Sequence, residues 1–148
     1  MNKPQCVYVT YIASTPEKVW EGLTSPEFTK EYWGSRSILS DWKVGSPVKL
    51  VEEGGGLDWH GEVLQYDPPK LLSYTFSFTP PGESGEPPSR VVHVLEVVGG
   101  VVRLTTTHDN LEPEGKTIRG ISQGWPKVLS SLKTLLETGK GIDLNLMD

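Results

Sequence analysis

Three polar side chains in the second half of the chain have the types and spacing to act together. His93 and His108 lie on either side of the dipeptide Gly99-Gly100, a strong two-residue hairpin signal between two β-branched runs. If Val98 pairs with Val101, one face of the hairpin carries Val91, His93, Leu95 and Val97, opposite His108, Thr106, Leu104 and Val102. That face is apolar near the turn and polar away from it. The opposite face pairs Glu96 with Arg103, a sensible exposed cross-strand pair. Imidazoles near neutrality donate or accept, and so orient a ligand. Acid–base or metal chemistry would require a third partner, and the sequence offers none. A second cluster, Asp58-Trp59-His60-Gly61-Glu62, puts Asp58, His60 and Glu62 on one side of a strand. Same-face neighbours on a strand stand about 6.5–7 Å apart, too far to converge on one ion unaided, so this side is expected to be solvated.

Other chemistries lack their signatures. The glycine runs at 54–56 and 99–100 lie between strands and open no helix, so they are not phosphate cradles. There is no G-x-S-x-G elbow. Cys6 is the single cysteine, which excludes an internal disulfide and a cysteine-based zinc site. No catalytic residue, metal ligand or cofactor is assigned. The aromatic and polar inward positions instead describe a pocket with a polar end: Trp33, Trp59, Tyr74, Phe76, His93, Thr106, His108, Trp125 and Leu129.

The elements that must position these residues are legible in order. Residues 5–12 (QCVYVTYI) read as a strand. Thr15-Pro16 opens a helix carrying Val19, Trp20 and Leu23, with Thr15 as N-cap and Pro16 at the first helical position. Ser25-Pro26 opens a second, with Phe28, Tyr32 and Trp33 on one side and Gly34 as its stop. A polar stretch over 35–46 leads to strands at 47–52, 57–66, 71–78, 90–98 and 101–108, and 79–89 is a flexible proline-glycine loop. In 71–78, Leu72, Tyr74, Phe76 and Phe78 share one face. A long helix over about 117–138 carries an apolar stripe from Ile118 to Leu136, interrupted by Pro126, with a kink or a fresh start expected near Ser122–Trp125. Gly139 ends it, and the last residues form a tail. The pattern is α+β: one antiparallel sheet of about six strands, crossed by a long helix, in a single domain over 1–148.

The 148 residues are one domain's worth, and 14 basic against 19 acidic side chains give a net charge of −5. An acidic chain without a basic run is a poor partner for nucleic acid or an anionic membrane. No apolar stretch reaches the length of a membrane span, and the N-terminus lacks a signal-like apolar run, so a cytoplasmic location is expected.

Three segments together resemble the helix-grip superfamily of START and birch-allergen-like domains (SRPBCC). They are residues 12–33 (IASTPEKVW through YW), Gly61-Glu62-Val63 through Asp67-Pro68-Pro69-Lys70-Leu71, and Leu104–Asn110 with Gly124-Trp125 and 128–132. Within it the chain is similar to the family named for the C-terminal domain of the activator of the ninety-kilodalton heat-shock chaperone's ATPase. The resemblance implies a curved sheet wrapped on the long helix, a cavity between them, and the two small helices closing one end with Val19, Trp20, Phe28 and Trp33. Three functions follow as expectations. The first is binding of a small hydrophobic ligand, oriented by His93, Thr106 or His108. The second is chaperone ATPase regulation through an exposed surface. The third is cyclase- or isomerase-like catalysis in the cavity. A monomer or homodimer is expected.

Overall fold

A computed structural model describes residues 3–147. Seven strands form one sheet: β1 (Cys6–Ile12), β2 (Ser37–Ser40), β3 (Pro47–Val51), β4 (Leu57–Asp67), β5 (Leu71–Phe76), β6 (Ser89–Val98) and β7 (Val101–Asp109). The order across the sheet is β1-β7-β6-β5-β4-β3-β2, with every pair antiparallel. Two short helices, α1 (Pro16–Thr24) and α2 (Pro26–Tyr32), follow β1. The long helix α3 (Lys116–Thr138) lies across the concave face, and a 3-10 turn (Leu144–Met147) ends the described chain. Among the described residues no helix is long and apolar enough to cross a membrane.

Two register shifts, between Leu50 and Val51 and between Val63 and Gln65, bend β3 and β4 and give the sheet its curvature. Gly61 sits beside the bend. A Cβ there would run into the backbone carbonyl of Thr75, so the close approach of β4 and β5 requires glycine. The β6–β7 hairpin has the expected register: Val98 opposite Val101, Glu96 opposite Arg103, and His93 opposite Thr106.

The core lies between the concave face and α3. From the helix come Ile121, Trp125, Val128, Leu129, Leu132 and Leu135, all buried, while Ile118 and Leu136 flank the stripe half-buried. α1 caps one end. Thr15 Oγ1 accepts from the Lys18 amide at 3.2 Å, as its N-cap position requires. Gly22 faces Leu132 so closely that a Cβ would meet its Cδ1 at 2.7 Å, and the Tyr32 hydroxyl donates to the Gly22 carbonyl at 2.7 Å. Val19, Trp20 and Trp33 are buried, and Phe28 is half-buried beneath the Lys18 ammonium, 5.8 Å from its ring centre.

Two expectations need correction, and one pair of alternatives is narrowed. The polar stretch 35–46 contains a seventh strand, β2, whose Ile38 is buried and whose Ile38 amide donates to Thr29 Oγ1 at 3.0 Å. Four residues with one inward side chain give too short an alternation to be read from sequence. The strand at 71–78 ends at Phe76, with Ser77 continuing as a single bridge to His60. α3 begins at Lys116 and is one helix through Pro126, with no new start there. Pro126 and Ser122 both lie on the exposed face, where the carbonyl deprived of its helical donor is accessible to water.

Candidate ligand-binding cleft

A cleft of about 480 Å³ opens between the sheet and the middle of α3. Its apolar walls are Trp33 from the end of α2, Trp59 from β4, Phe76 and Phe78 from and beyond β5, and Ile121 and Trp125 from α3. The rings form a continuous set. Trp59 stacks on Tyr74 (centroids 5.2 Å, planes 10° apart) and packs on Phe76 at 4.7 Å. Trp33 bridges Trp59 at 6.1 Å and Trp125 at 5.6 Å. Gly120 and Gly124 leave the helix side of the cleft without bulk.

The rim is charged and balanced. Lys30, Arg36 and Lys127 stand against Glu31, Asp58 and Asp143. Arg36 Nε lies 2.9 Å from Asp58 Oδ2, and its Nη2 lies 3.7 Å from Glu52. Burial pushes the Asp58 carboxyl up, Arg36 opposes that, and Glu52 adds to it. The last wall is the chain after α3. Ser131 Oγ donates to the Ile142 carbonyl (3.2 Å) and accepts from the Ile142 amide (2.9 Å), holding residues 142–145 against the cleft.

Of the nine sequence-derived positions, Trp33, Trp59, Phe76 and Trp125 line the cleft. Tyr74, His93, Thr106, His108 and Leu129 form a buried layer behind it. In that layer the two histidines do not bond each other. His93 places Nδ1 2.9 Å from Thr106 Oγ1 and Nε2 3.3 Å from the Tyr74 hydroxyl. His108 receives the Trp125 indole N–H on Nδ1 at 3.0 Å, and its Nε2 is 2.7 Å from Ser89 Oγ.

An indole N–H only donates, so His108 Nδ1 must be a bare lone pair and Nε2 must carry the proton. Ser89 then accepts from His108 and donates to the Phe76 carbonyl at 3.1 Å. The polarity is the reverse of a serine nucleophile with its base: His108 gives a proton to Ser89's oxygen and has no lone pair left to take one. Burial, with the neighbouring His108 charge, pushes His93 down to about 3. Burial likewise pushes His108 down to about 4, with Asp109 pulling weakly upward. Both rings are neutral at pH 7.

Two buried side-chain nitrogens among the described residues have no hydrogen-bond partner, Arg36 Nε and Trp59 Nε1, and both residues line the cleft. Arg36 Nε is within ion-pair distance of Asp58, but its N–H does not point at the oxygen. An orphaned buried donor costs about 1–3 kcal/mol.

Asp58 and His60 are only partly solvated. Asp58 reaches the rim, and His60 Nε2 donates to the Thr79 carbonyl at 2.7 Å, fastening the following loop. Sequence reasoning missed Arg36, Ser89 and residues 142–145. Ser89 looked like the end of a loop, and the other two lay in stretches without periodicity. Among the described residues no three His, Cys, Asp or Glu side chains are grouped to hold a metal ion.

The profile of the family described as Activator of Hsp90 ATPase homolog 1-like protein matches residues 13–137. The chain belongs to this family. Comparison with curated proteins finds no match. Among solved structures, a Cytophaga hutchinsonii protein is 31% identical, with a TM-score of 0.74 over 94% of this chain and 97% of that one. The Aha1 dimer from Colwellia psychrerythraea is 25% identical, with a TM-score of 0.76 over 93% and 99%. An HSP90 activator from Plasmodium falciparum shares the fold at 19% identity, with a TM-score of 0.75 over 90% and 96%. The chain shares with these structures the helix-grip architecture of a curved antiparallel sheet and a long C-terminal helix.

Proposed function

We propose that the chain is a binding domain for a small apolar molecule held between the sheet and α3. The observation that carries this reading is the aromatic cleft of about 480 Å³, within the usual range of about 300–1,000 Å³ for small-molecule sites. Trp33, Trp59, Phe76 and Trp125 stand in its walls, and Phe78 is the more exposed ring at its edge. Tyr74, His93, Thr106, His108 and Leu129 fix those walls from behind, so the polar groups orient the ligand indirectly, through Trp125 and Trp59. The test is native mass spectrometry of protein purified from cells, followed by melting with the recovered molecule. Saturation at 100 times Kd raises stability by about 2.7 kcal/mol. A ligand-free protein whose melting no apolar compound alters would overturn the reading.

A second reading, regulation of a chaperone ATPase, draws its support from the family description. It places function on an exposed surface, in a monomer or a homodimer, and leaves the cleft idle. Stimulation of the chaperone's ATP hydrolysis by this chain is the measurement, and no stimulation at saturating protein removes it.

A further inference from the structure

We propose that β1 is an interface: its open edge pairs with β1 of a second copy of this chain, antiparallel across a two-fold axis, and joins the two seven-stranded sheets into one.

The hairpin register fixes which backbone groups of β1 point outward. Gly99-Gly100 makes a two-residue turn, so Val98 and Val101 are a hydrogen-bonded pair. Alternation along β7 then aims the peptide groups of Val102, Leu104, Thr106 and His108 at β1, where they face Ile12, Thr10, Tyr8 and Cys6. Val7, Val9 and Tyr11 turn their amides and carbonyls the other way, off the edge of the sheet. Two bonds from α3 show the same alternation. Lys133 Nζ donates to the Tyr11 carbonyl at 2.6 Å, and the Ala13 amide donates to Glu137 at 2.8 Å. Both lie at the far end of the strand. Among the described residues no group bonds the outward amide or carbonyl of Val7 or Val9.

Such an edge is normally guarded by charge, proline, a bulge or a covering segment. Residues 6–12 pair with β7 in unbroken register and contain no charged residue and no proline. Val7, Val9 and Tyr11 are 50%, 52% and 49% exposed. The opposite edge of the sheet is closed by the chain itself. β2 is four residues long and lies against α2, and its Ile38 amide is taken by Thr29.

A second copy is the occupant that matches this edge. With the two-fold axis normal to the sheet through Tyr8, Val7 of each copy stands opposite Val9 of the other. Each amide of that pair then meets a carbonyl, and all the open groups of both valines are used. The four valine side chains fall on one face. Each chain carries a charge of −5, but no ionised side chain lies in residues 6–12, so the axis sets no like charges against each other there. Both copies spend their open edge, and the assembly closes at two. The contact is one strand wide, smaller than the roughly 800 Å² per partner of a standard interface, so a micromolar affinity is expected.

Sedimentation equilibrium of the whole chain from micromolar to millimolar concentration tests this, together with amide exchange at both extremes. The mass is expected to rise from one chain to two. The Val7 and Val9 amides are expected to exchange freely in dilute solution and slowly in concentrated solution, while Tyr8 and Thr10 stay protected in both. Val9→Pro removes an amide that the chain's own sheet does not use, at an edge position where proline is tolerated. It is expected to weaken dimerisation about tenfold or more. Val97→Lys, exposed on the β6–β7 hairpin, is the control and leaves dimerisation unchanged. A monomer at every concentration, or Val7 and Val9 amides that exchange equally fast throughout, overturns the proposal and leaves the edge to a strand of another protein. A dimer that Val9→Pro does not weaken lies elsewhere on the molecule and overturns it too. Should that variant fail to fold, amide exchange in the unmutated chain still decides. None of these outcomes bears on the cleft, whose test uses an apolar ligand.

Discussion

Trp125 Nε1 donates to His108 Nδ1 across 3.0 Å, and that bond fixes the protonation of a buried row that continues through Ser89 to the Phe76 carbonyl. A proton added at His108 Nδ1 would face the indole N–H directly. The row is therefore built for neutral imidazole, and acid works against it.

The pH dependence has a definite sign. Both histidines titrate lower in the folded chain, near 3 and 4, than the ordinary value of 6.5. Between pH 6.5 and 4 the unfolded chain binds more protons, so stability falls as pH drops. The contribution is whole above about pH 7 and declines by up to about 1.4 kcal/mol per pH unit for each histidine. Urea midpoints between pH 5 and 8 measure it, above the range where carboxylates titrate. A flat profile there would show that the imidazoles are not buried neutral.

Trp125→Phe keeps one aromatic ring but removes the nitrogen-bearing half of the indole, so the donor is deleted together with some buried volume. The His108 lone pair is left buried and unmatched, which costs about 1–3 kcal/mol at neutral pH. The same lone pair becomes available to a proton, so the folded-state titration of His108 moves upward. Imidazole NMR titration of the variant reads this, and an unshifted His108 would contradict the bond.

The N-terminus of α3 is capped from a distance. Its N-cap residue is Gly115, which has no side chain to offer, and the Glu86 carboxylate from the β5–β6 loop accepts from the Lys116 and Thr117 amides. Burial opposes the charge there, but these backbone and side-chain hydrogen bonds hold Glu86 below the usual range. Glu86→Ala is expected to cost about 1 kcal/mol and to speed amide exchange at Lys116 and Thr117. With a lowered carboxyl, the benefit is present above about pH 4.5 and lost as pH falls through the folded value. The gap between wild type and variant should accordingly close in acid, and a gap independent of pH would assign the loss to something other than the carboxylate.

Gly61→Ala sets a methyl against the Thr75 carbonyl, a backbone group that cannot swing aside. Overpacking of this kind costs about 1–3 kcal/mol, and more where backbone must move. Gly100→Ala, with open space around it, is the control and should change stability by less than about 1 kcal/mol. Equal midpoints for the two variants in urea would refute the close approach of β4 and β5.

Much of this was legible in the sequence because it repeats. The stripe from Ile121 to Leu135 recurs at helical steps, and the Gly99-Gly100 turn fixes which face His93, Thr106 and His108 share. Thr15-Pro16 and Ser25-Pro26 mark two helix starts by their backbone chemistry. What escaped depends on contacts distant in sequence. β2 exists through Ile38 and its bond to Thr29, and residues 142–145 become a wall through Ser131. The role of Ser89 appears only when β6 lies beside β7 and α3 crosses them. Periodicity reports which side of an element is apolar, and it is silent on which side chains from different elements meet.

The row from Trp125 to Phe76 starts on the helical wall of the cleft and ends on the sheet wall. Each link is a directed bond between buried groups, with no slack and no long aliphatic stem. It acts as a strut of fixed length between the two walls, whereas the charged rim of Lys30, Glu31, Arg36, Asp58, Lys127 and Asp143 has no such bonded row across it. On the small-molecule reading proposed above, such a cleft would sort its occupants by thickness at the bottom and tolerate variety in whatever protrudes at the top.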